Sequence, residues 1–143
     1  MCGFVGFTNY INNSNIVLEN MMNKIIHRGP DSGGTYIDDG IALGFRRLSI
    51  IDLAQGDQPI LNEDGSKVLL FNGEIYNFQS IREKLIAAGH KFKTKTDSEV
   101  LLHGYEEYGK NLLNMLRGMF AFVIWDKNIS ITKIFLTSIF YAS

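Results

Sequence analysis

Cys2 carries the most nucleophilic side chain of this sequence, and its position indicates how it could be activated. Cys2 follows Met1 directly, and its side chain is small enough to let an initiator methionine be trimmed. Trimming would leave a thiol and a free α-amine on one residue. An α-amine with a pKa of about 8 can take the thiol proton and leave a nucleophilic thiolate. Position and composition by themselves favour the alternative, a small buried apolar residue in a strand.

Asn72 and Gly73 offer the hydrogen-bond donors that such a nucleophile would need. They follow the apolar segment Lys67–Phe71, which is predicted to be a strand. An amide side chain and a glycine N–H directed at one point would stabilise the oxyanion of a tetrahedral intermediate. The alternative is an ordinary Asn-Gly turn, which the local sequence favours.

Charged residues elsewhere could hold an amino-acid ligand, which needs one cation and one or two anions. Arg47 follows a predicted strand and has the forked geometry that suits a carboxylate, although a solvated surface arginine is commoner. Glu74 and Asp97 are acids in predicted loops, and each could receive an ammonium group. For Asp97, capping of the helix that follows is the alternative.

The histidines give no sign of a metal site. His27, His90 and His103 are far apart in the sequence and show no paired ligand spacing. Each is therefore expected to be structural or exposed, and we predict no metal site.

Length and composition are those of one soluble globular domain. The 143 residues are 45% apolar and 20% charged, with a formal net charge of −1. Acidic and basic residues are interleaved, which predicts neither a nucleic-acid nor a membrane partner. The N-terminus lacks a basic region followed by an apolar region, so we expect no secretory signal, and no run reaches the roughly 18 apolar residues that a spanning helix needs. A single cysteine excludes an internal disulfide, and together these features predict a cytoplasmic protein.

The apolar pattern predicts an α+β arrangement. Alternation predicts a strand over Cys2–Thr8, and Asp38-Asp39-Gly40 predicts a hairpin between strands Thr35–Ile37 and Ile41–Phe45. The remaining predicted elements are helices at 16–26, at 78–88 and after Asp97, and strands at Pro59–Leu61, Lys67–Phe71 and Met119–Trp125. Strands, then helices, then strands indicate layers rather than strict βαβ alternation.

Several motifs occur in the order found in one enzyme family. They are MCGFVGF, HRGPDSGG, RRLSIIDL, QGDQPI, NGEIYNF and TDSEVLLHGYEEYG. In this order they resemble the class II glutamine amidotransferase domain of asparagine synthetases, from Met1 to about Lys127. The pairing of HRGPD with NGEIYN is similar to asparagine synthetases and their close relatives, rather than to glucosamine-phosphate or purine-pathway enzymes.

The resemblance implies an N-terminal-nucleophile hydrolase fold, a four-layer αββα sandwich of two antiparallel sheets. It implies that Cys2 attacks the side-chain amide of glutamine, with its own α-amine as general base. Asn72 and the N–H of Gly73 would form the oxyanion hole, and Arg47 would hold the α-carboxylate of glutamine. The side chains of Glu74 and Asp97 would receive the α-ammonium, and backbone carbonyls near Leu48 and Ile50 would assist.

Full-length members of the family carry a second domain that uses the ammonia. That synthetase domain activates aspartate as an adenylate with ATP, and we expect it to be absent from this chain and possible only in trans. ATP and Mg²⁺ are accordingly expected only there, and no cofactor is expected in this chain.

The resemblance fades after Trp125-Asp126, where the family has a segment similar to RDxxGxKPLYY. Residues 128–143 instead form a β-prone tail. We therefore predict a truncated amidotransferase domain over residues 1–127, with C-terminal strands missing or replaced. Besides an active glutaminase, two alternatives remain: a remnant that binds glutamine without turnover, and a non-enzymatic interaction fragment.

Overall fold

Strands open and close the described part of the chain, and helices lie between them. The computed structural model describes residues 2–9, 11–48 and 58–129, and the backbone of 131–138. The strands are β1 (Gly3–Thr8), β2 (Ser32–Ile37), β3 (Ile41–Arg47), β4 (Ile60–Leu61), β5 (Lys67–Ile75), β6 (Gly118–Asp126) and β7 (Ile131–Ser138). The helices are α1 (Ser14–Lys24), α2 (Phe78–Ala87) and α3 (Asp97–Tyr108), with short 3-10 helices at Ile26–Arg28 and Gly109–Asn114. Within these ranges, no helix has both the length and the apolar character needed to cross a membrane.

The strands form two antiparallel sheets. β1, β3 and β2 form the first sheet in that order, and β4, β5, β6 and β7 form the second. The predicted hairpin joins β2 to β3, and the N–H of Gly40 donates to the carboxylate of Asp38 at 2.9 Å within its turn. Because side chains alternate between the two faces of a strand, each sheet presents one face to the other sheet and one face to helices.

Apolar clusters fill the spaces between four layers. The cluster between the sheets contains Ile41, Leu43 and Phe45 of β3, Val68 and Leu70 of β5, and Val123 and Trp125 of β6. Outside the first sheet, Leu18 and Met22 of α1 pack against Ala42. Outside the second sheet, Leu69 and Phe71 pack with residues of α2 and α3. The order α1, first sheet, second sheet, α2 with α3 confirms the predicted α+β class and its αββα layers.

β5 is longer than the sequence predicts. The predicted strand ended at Phe71 and left a loop or turn at Asn72-Gly73, which is wrong because β5 pairs with β6 as far as Ile75. Gly73 has φ +152°, and a Cβ at this position would collide with the carbonyl oxygen of Met119. Glycine thus permits the close approach of β6, and this pairing overrides the turn tendency of Asn-Gly.

β2 and α1 also have boundaries that differ from the prediction. β2 begins at Ser32 rather than at the predicted Thr35, because Ser32 and the two glycines that follow it are paired with β3. α1 ends at Lys24, and the chain continues as a short 3-10 helix from Ile26. Pairing with a central strand, which local sequence does not reveal, decides the first of these boundaries.

Residues 131–138 add a strand to the second sheet. β7 pairs antiparallel with β6 along its length, with Phe135 opposite Phe122 and Ile131 opposite Asp126. The β-prone tail therefore takes up a strand position, as its composition allows. The division into a domain over residues 1–127 and a separate tail over 128–143 stays a prediction.

Candidate active site

The predicted site residues gather at one end of the gap between the two sheets. The opposite end is marked by Trp125, whose indole N–H donates to the carboxylate of Asp38 at 2.8 Å. β3 begins and β6 finishes beside Trp125 and Asp38. The last residues of β3 and the first residues of β6 therefore lie together at the other end of the gap. β1 runs antiparallel to β3, and β5 runs antiparallel to β6. The start of β1 and the end of β5 therefore lie at the same end of the gap.

Cys2 precedes β1 at this end and is partly exposed. Its side chain packs against the cluster between the sheets but is not buried. The N–H of Leu48 donates to Sγ at 3.4 Å, and the carbonyl oxygen of Leu48 lies 3.8 Å from Sγ. The thiol is thus held beside the backbone of Leu48 while it stays within reach of solvent, unlike a fully buried apolar residue.

The HRGPD segment fixes the strand ends around Cys2. The Nε–H of Arg28 donates to the carbonyl oxygen of Cys2 at 3.1 Å. The N–H of Asp31 donates to the carbonyl oxygen of Arg47 at 3.1 Å. The sequence motif contributed to the resemblance without a role for these residues, and the structure gives them one: they hold the nucleophile candidate and the end of β3 in place.

Asn72 lies on the face of β5 that is directed toward the first sheet. Val68 and Leu70 of β5 belong to the cluster between the sheets, and residues two apart in a strand share a face. Asn72 is the next residue of this series, and β5 contacts β1 directly. The half-buried Asn72 side chain therefore faces the gap at the end where Cys2 lies.

The N–H of Gly73 is directed to the edge of β5 that faces away from β6. At this edge Phe71 bonds the side chain of Gln58 through its N–H and its carbonyl oxygen, at 2.6 and 2.8 Å. At the same edge the N–H of Ile75 donates to Oδ2 of Asp97 at 3.0 Å. Alternate peptide groups of a strand point the same way, so the Gly73 N–H lies between these two. Among the described residues, β4 pairs with β5 only further back along the strand.

Asp97 opens α3 and lies beside the end of β5. The helix is preceded by Thr96, which makes no side-chain capping bond, and Asp97 instead bonds the backbone of Ile75. Burial raises the pKa of Asp97, the Ile75 N–H opposes this rise, and the charge of Glu74 adds to it. A cation held near Asp97 and the exposed Glu74 would offset the cost of burying the Asp97 charge and the repulsion between the two carboxylates.

Arg47 is the last residue of β3. It shares the face of Phe45, which is buried between the sheets, and it is half-buried itself rather than fully solvated. Leu48 follows and contacts Cys2, as described above. Ile50, the remaining predicted residue, lies outside the described residues. The described members of the predicted set are therefore all found around one end of the gap.

Gln58 links the two sheets beside this end, and sequence reasoning missed it. Its side chain makes the pair of hydrogen bonds to Phe71 that a longer β4 would make through its main chain. Its carbonyl oxygen lies so close to β2 that a Cβ at Gly34 would collide with it. Gln58 thus holds the residue directly before Asn72. The sequence signal that could have indicated this role is a polar side chain immediately before Pro59 and a short predicted strand.

Known proteins match this chain over most of its length. Residues 1–136 match a family described as the glutamine amidotransferase domain. Glutamine-hydrolyzing asparagine synthetase 1 of Bacillus subtilis (strain 168) is 47% identical over 133 residues, covering 90% of this chain and 21% of the relative. Glutamine-hydrolyzing asparagine synthetase 2 of Arabidopsis thaliana is 43% identical over 130 residues, covering 88% of this chain and 22% of the relative.

The fold also has a counterpart among solved structures. The glutamine phosphoribosylpyrophosphate amidotransferase from B. subtilis, complexed with ADP and GMP, superimposes with a TM-score of 0.70 at 24% identity, covering 89% of this chain and 35% of that chain. The fold is that of the N-terminal-nucleophile amidotransferases. This chain belongs to the glutamine amidotransferase domain family and is homologous to the glutaminase domains of asparagine synthetases. It spans about a fifth (21%) of the length of the Bacillus subtilis asparagine synthetase 1.

Proposed function

We propose that this chain hydrolyses glutamine to glutamate and ammonia through the thiol of Cys2. The observation that carries the proposal is the gathering of a partly exposed thiol, two hydrogen-bond donors, an arginine and two acids at one end of the gap. Glutamine needs these groups: an attack on its side-chain amide, and counter-charges for its α-carboxylate and α-ammonium. Membership of the amidotransferase family supports the same reaction.

In the proposed reaction, removal of Met1 gives Cys2 a free α-amine. The amine takes the thiol proton, and the thiolate attacks the side-chain carbonyl carbon of glutamine. The resulting oxyanion accepts hydrogen bonds from the Asn72 amide and the Gly73 N–H. The ammonium of Cys2 then returns the proton to the leaving nitrogen, so that ammonia departs and a γ-glutamyl thioester remains. Water attacks the thioester and releases glutamate and the thiol.

Binding of glutamine is assigned to the charged residues around the thiol. Arg47 pairs with the α-carboxylate through its forked guanidinium. Glu74 and Asp97 receive the α-ammonium, and the carbonyl oxygens of Leu48 and Ile50 are proposed to assist. The raised pKa of Asp97 supports this assignment, because a partly buried acid beside a second acid favours an incoming cation.

We further propose that the ammonia serves the amidation of aspartate by a synthetase domain. The relatives named above are glutamine-hydrolyzing asparagine synthetases, and this chain spans about a fifth of their length. ATP and Mg²⁺ would act in that domain, and the glutaminase step needs neither. An assay of glutamate release by this chain tests the proposal that it hydrolyses glutamine. Stabilisation by glutamine without glutamate release would instead support the alternative of an inactive glutamine-binding remnant.

We expect Asp97→Asn to weaken glutamine binding more than it slows turnover. KM should rise about 10–100-fold, since hydrogen bonds to charged groups contribute about 1.5–3 kcal/mol, while kcat changes little. The asparagine oxygen can still accept from Ile75, so the backbone contact survives. Steady-state kinetics measure the split, with the exposed Asp39→Asn as the matched control. An unchanged KM would remove Asp97 from the ammonium site.

The same variant should be at least as stable as the parent at neutral pH. Because the folded-state pKa of Asp97 is raised, the folded state gains stability from its protonation at low pH and loses that gain as pH rises through the folded pKa. Asparagine has no such pH dependence, so the difference in melting temperature between variant and parent should shrink as pH falls toward the ordinary aspartate value of 3.8. A clear loss of stability at neutral pH would contradict this.

We expect Gln58→Ala to lower kcat by about tenfold, because small misplacements of catalytic groups cost up to about 10²-fold. The variant leaves the N–H and the carbonyl of Phe71 without their partner, beside Asn72. Unpaired backbone groups should also lower the free energy of unfolding by about 1–3 kcal/mol. Gln58→Glu keeps the acceptor for the Phe71 N–H but sets a carboxylate oxygen against the Phe71 carbonyl oxygen, so it should also lower kcat.

The separate effects on kcat and KM distinguish a positioning role for Gln58 from a purely structural role. Kinetics are measured well below the melting temperature of each variant, where all molecules are folded. A fall in kcat at nearly constant KM supports positioning, and the exposed Gln79→Ala should change neither quantity. Parent-like kcat in folded Gln58→Ala protein would show that Gln58 only stabilises the fold.

A further inference from the structure

His90, His103 and Glu106 form a cluster outside the proposed glutaminase site. The sequence shows no paired histidine spacing, yet the fold brings one ring nitrogen of each histidine and one oxygen of Glu106 to within 4.8 Å of one another. Nδ1 of His90 and Nδ1 of His103 lie 3.7 and 3.1 Å from the same Oε2 of Glu106. Three ligand atoms of the types that borderline divalent cations prefer therefore lie close together.

We propose that His90, His103 and Glu106 bind one zinc ion through these three atoms. Two imidazole nitrogens and a carboxylate oxygen make a ligand set that zinc accepts, with a water molecule as the fourth ligand. The side chains of His90 and Glu106 are 17% and 20% exposed, whereas that of His103 is 3% exposed. The ion can therefore enter from solvent and rest against a buried ring.

The outer nitrogen of each histidine faces further carboxylates. Nε2 of His90 lies 3.1 Å from Oε2 of Glu107. Nε2 of His103 lies 3.6 Å from a carboxylate oxygen of Glu99 and 3.6 Å from one of Glu63. Metal-binding histidines commonly donate their other ring N–H to a carboxylate, which fixes the tautomer. A proton on Nε2 would leave Nδ1 of each histidine free to bind the metal. Both histidines have this arrangement.

The acids of this cluster are themselves held in place. Oε1 of Glu106 accepts a hydrogen bond from the side-chain amide of Asn62 at 2.7 Å, so Oε2 is turned toward the histidines. Oε1 of Glu99 accepts a hydrogen bond from the N–H of Lys93 at 2.7 Å, and Oε2 accepts from the N–H and the hydroxyl of Thr94 at 2.7 and 2.6 Å. These bonds fix the carboxylate of Glu99 beside the ring of His103.

Packing also fixes the buried ring. The ring of Phe92 meets the ring of His103 edge-on, with centroids 4.6 Å apart. The ring of His90 lies 5.1 Å from that of His103. His90 follows α2, whereas His103 and Glu106 belong to α3. A bound ion would thus tie the segment after α2 to α3, and its direct effect would be on stability.

The test uses the Cys2→Ser variant of this chain, because a free thiol and α-amine at Cys2 could bind zinc themselves. Co²⁺ is added first, and its visible absorption reports a low-coordinate site; Zn²⁺ is then added in competition. We expect one Co²⁺ per chain, full displacement by Zn²⁺, and a melting temperature that rises with Zn²⁺ concentration. No saturable binding of one ion would overturn the proposal.

Single variants assign the ligands. His90→Gln and Glu106→Gln should each lower Zn²⁺ affinity by about a hundredfold or more, given that even outer partners contribute about 10–100-fold. Glu107→Gln should have a smaller effect, and the exposed His27→Gln none. Melting temperatures in EDTA identify which of the two ligand variants are folded, and either one suffices. Parent-like affinity in a folded ligand variant would show that the cluster is a histidine–carboxylate network without a metal.

Discussion

Cys2→Ala should abolish glutamine hydrolysis, by on the order of 10³-fold or more, as removal of a catalytic nucleophile commonly does. No other group at this end of the gap is proposed to form the thioester. The substitution removes one sulfur atom from a partly exposed position, so the fold should persist. Release of glutamate is measured in parent and variant at equal concentrations of folded protein.

The binding of glutamine should survive in Cys2→Ala. Arg47, Glu74 and Asp97 are untouched, and glutamine should still raise the melting temperature of the variant. Cys2→Ser is the closest replacement, and it should be almost as inactive, because an α-amine deprotonates a hydroxyl far less readily than a thiol. Glutamate release by Cys2→Ala at the rate of the parent would refute the assignment of the nucleophile.

Asn72→Ala should lower kcat by about 10²–10³-fold, the effect of removing one oxyanion-hole donor. KM for glutamine should change little, because the donor acts on charge that develops only in the transition state. Asn72 faces the gap from within a strand that is paired on one side along its whole length. The loss of its amide should therefore leave β5 in place.

The control for Asn72 is Asn20→Ala on the exposed side of α1. It removes the same side chain far from the gap and should leave kcat unchanged. Circular dichroism and melting temperature verify that the Asn72 variant is folded. A rise in KM with parent-like kcat would show that Asn72 binds the ground state of the substrate and has no oxyanion role.

The parts of the fold that local sequence specifies were predictable. The Asp38–Gly40 turn carries the residues that a tight hairpin needs, and the structure contains that hairpin. The apolar run Met119–Trp125 predicted a strand, and β6 occupies this position between β5 and β7 in the second sheet. The ordered motifs likewise carried the resemblance to the amidotransferase family, to which the chain belongs.

Other features depend on contacts between distant segments and could not be read from the sequence. The extension of β5 through Gly73 depends on the backbone of Met119 lying against it. The role of Gln58 depends on the side chain reaching Phe71 across the edge of a sheet. The meeting of His90 with His103 depends on how α2 and α3 pack. Spacing along the chain contains none of this information.

Intact-mass spectrometry of the purified chain, with and without an electrophilic glutamine analogue, tests directly whether Cys2 is an N-terminal nucleophile. One spectrum reports both the loss of Met1 and the reactivity of Cys2. We expect a protein without Met1 that gains the mass of one analogue, and no gain in Cys2→Ala. Correctly processed, folded protein that forms no adduct would show that Cys2 is not the nucleophile.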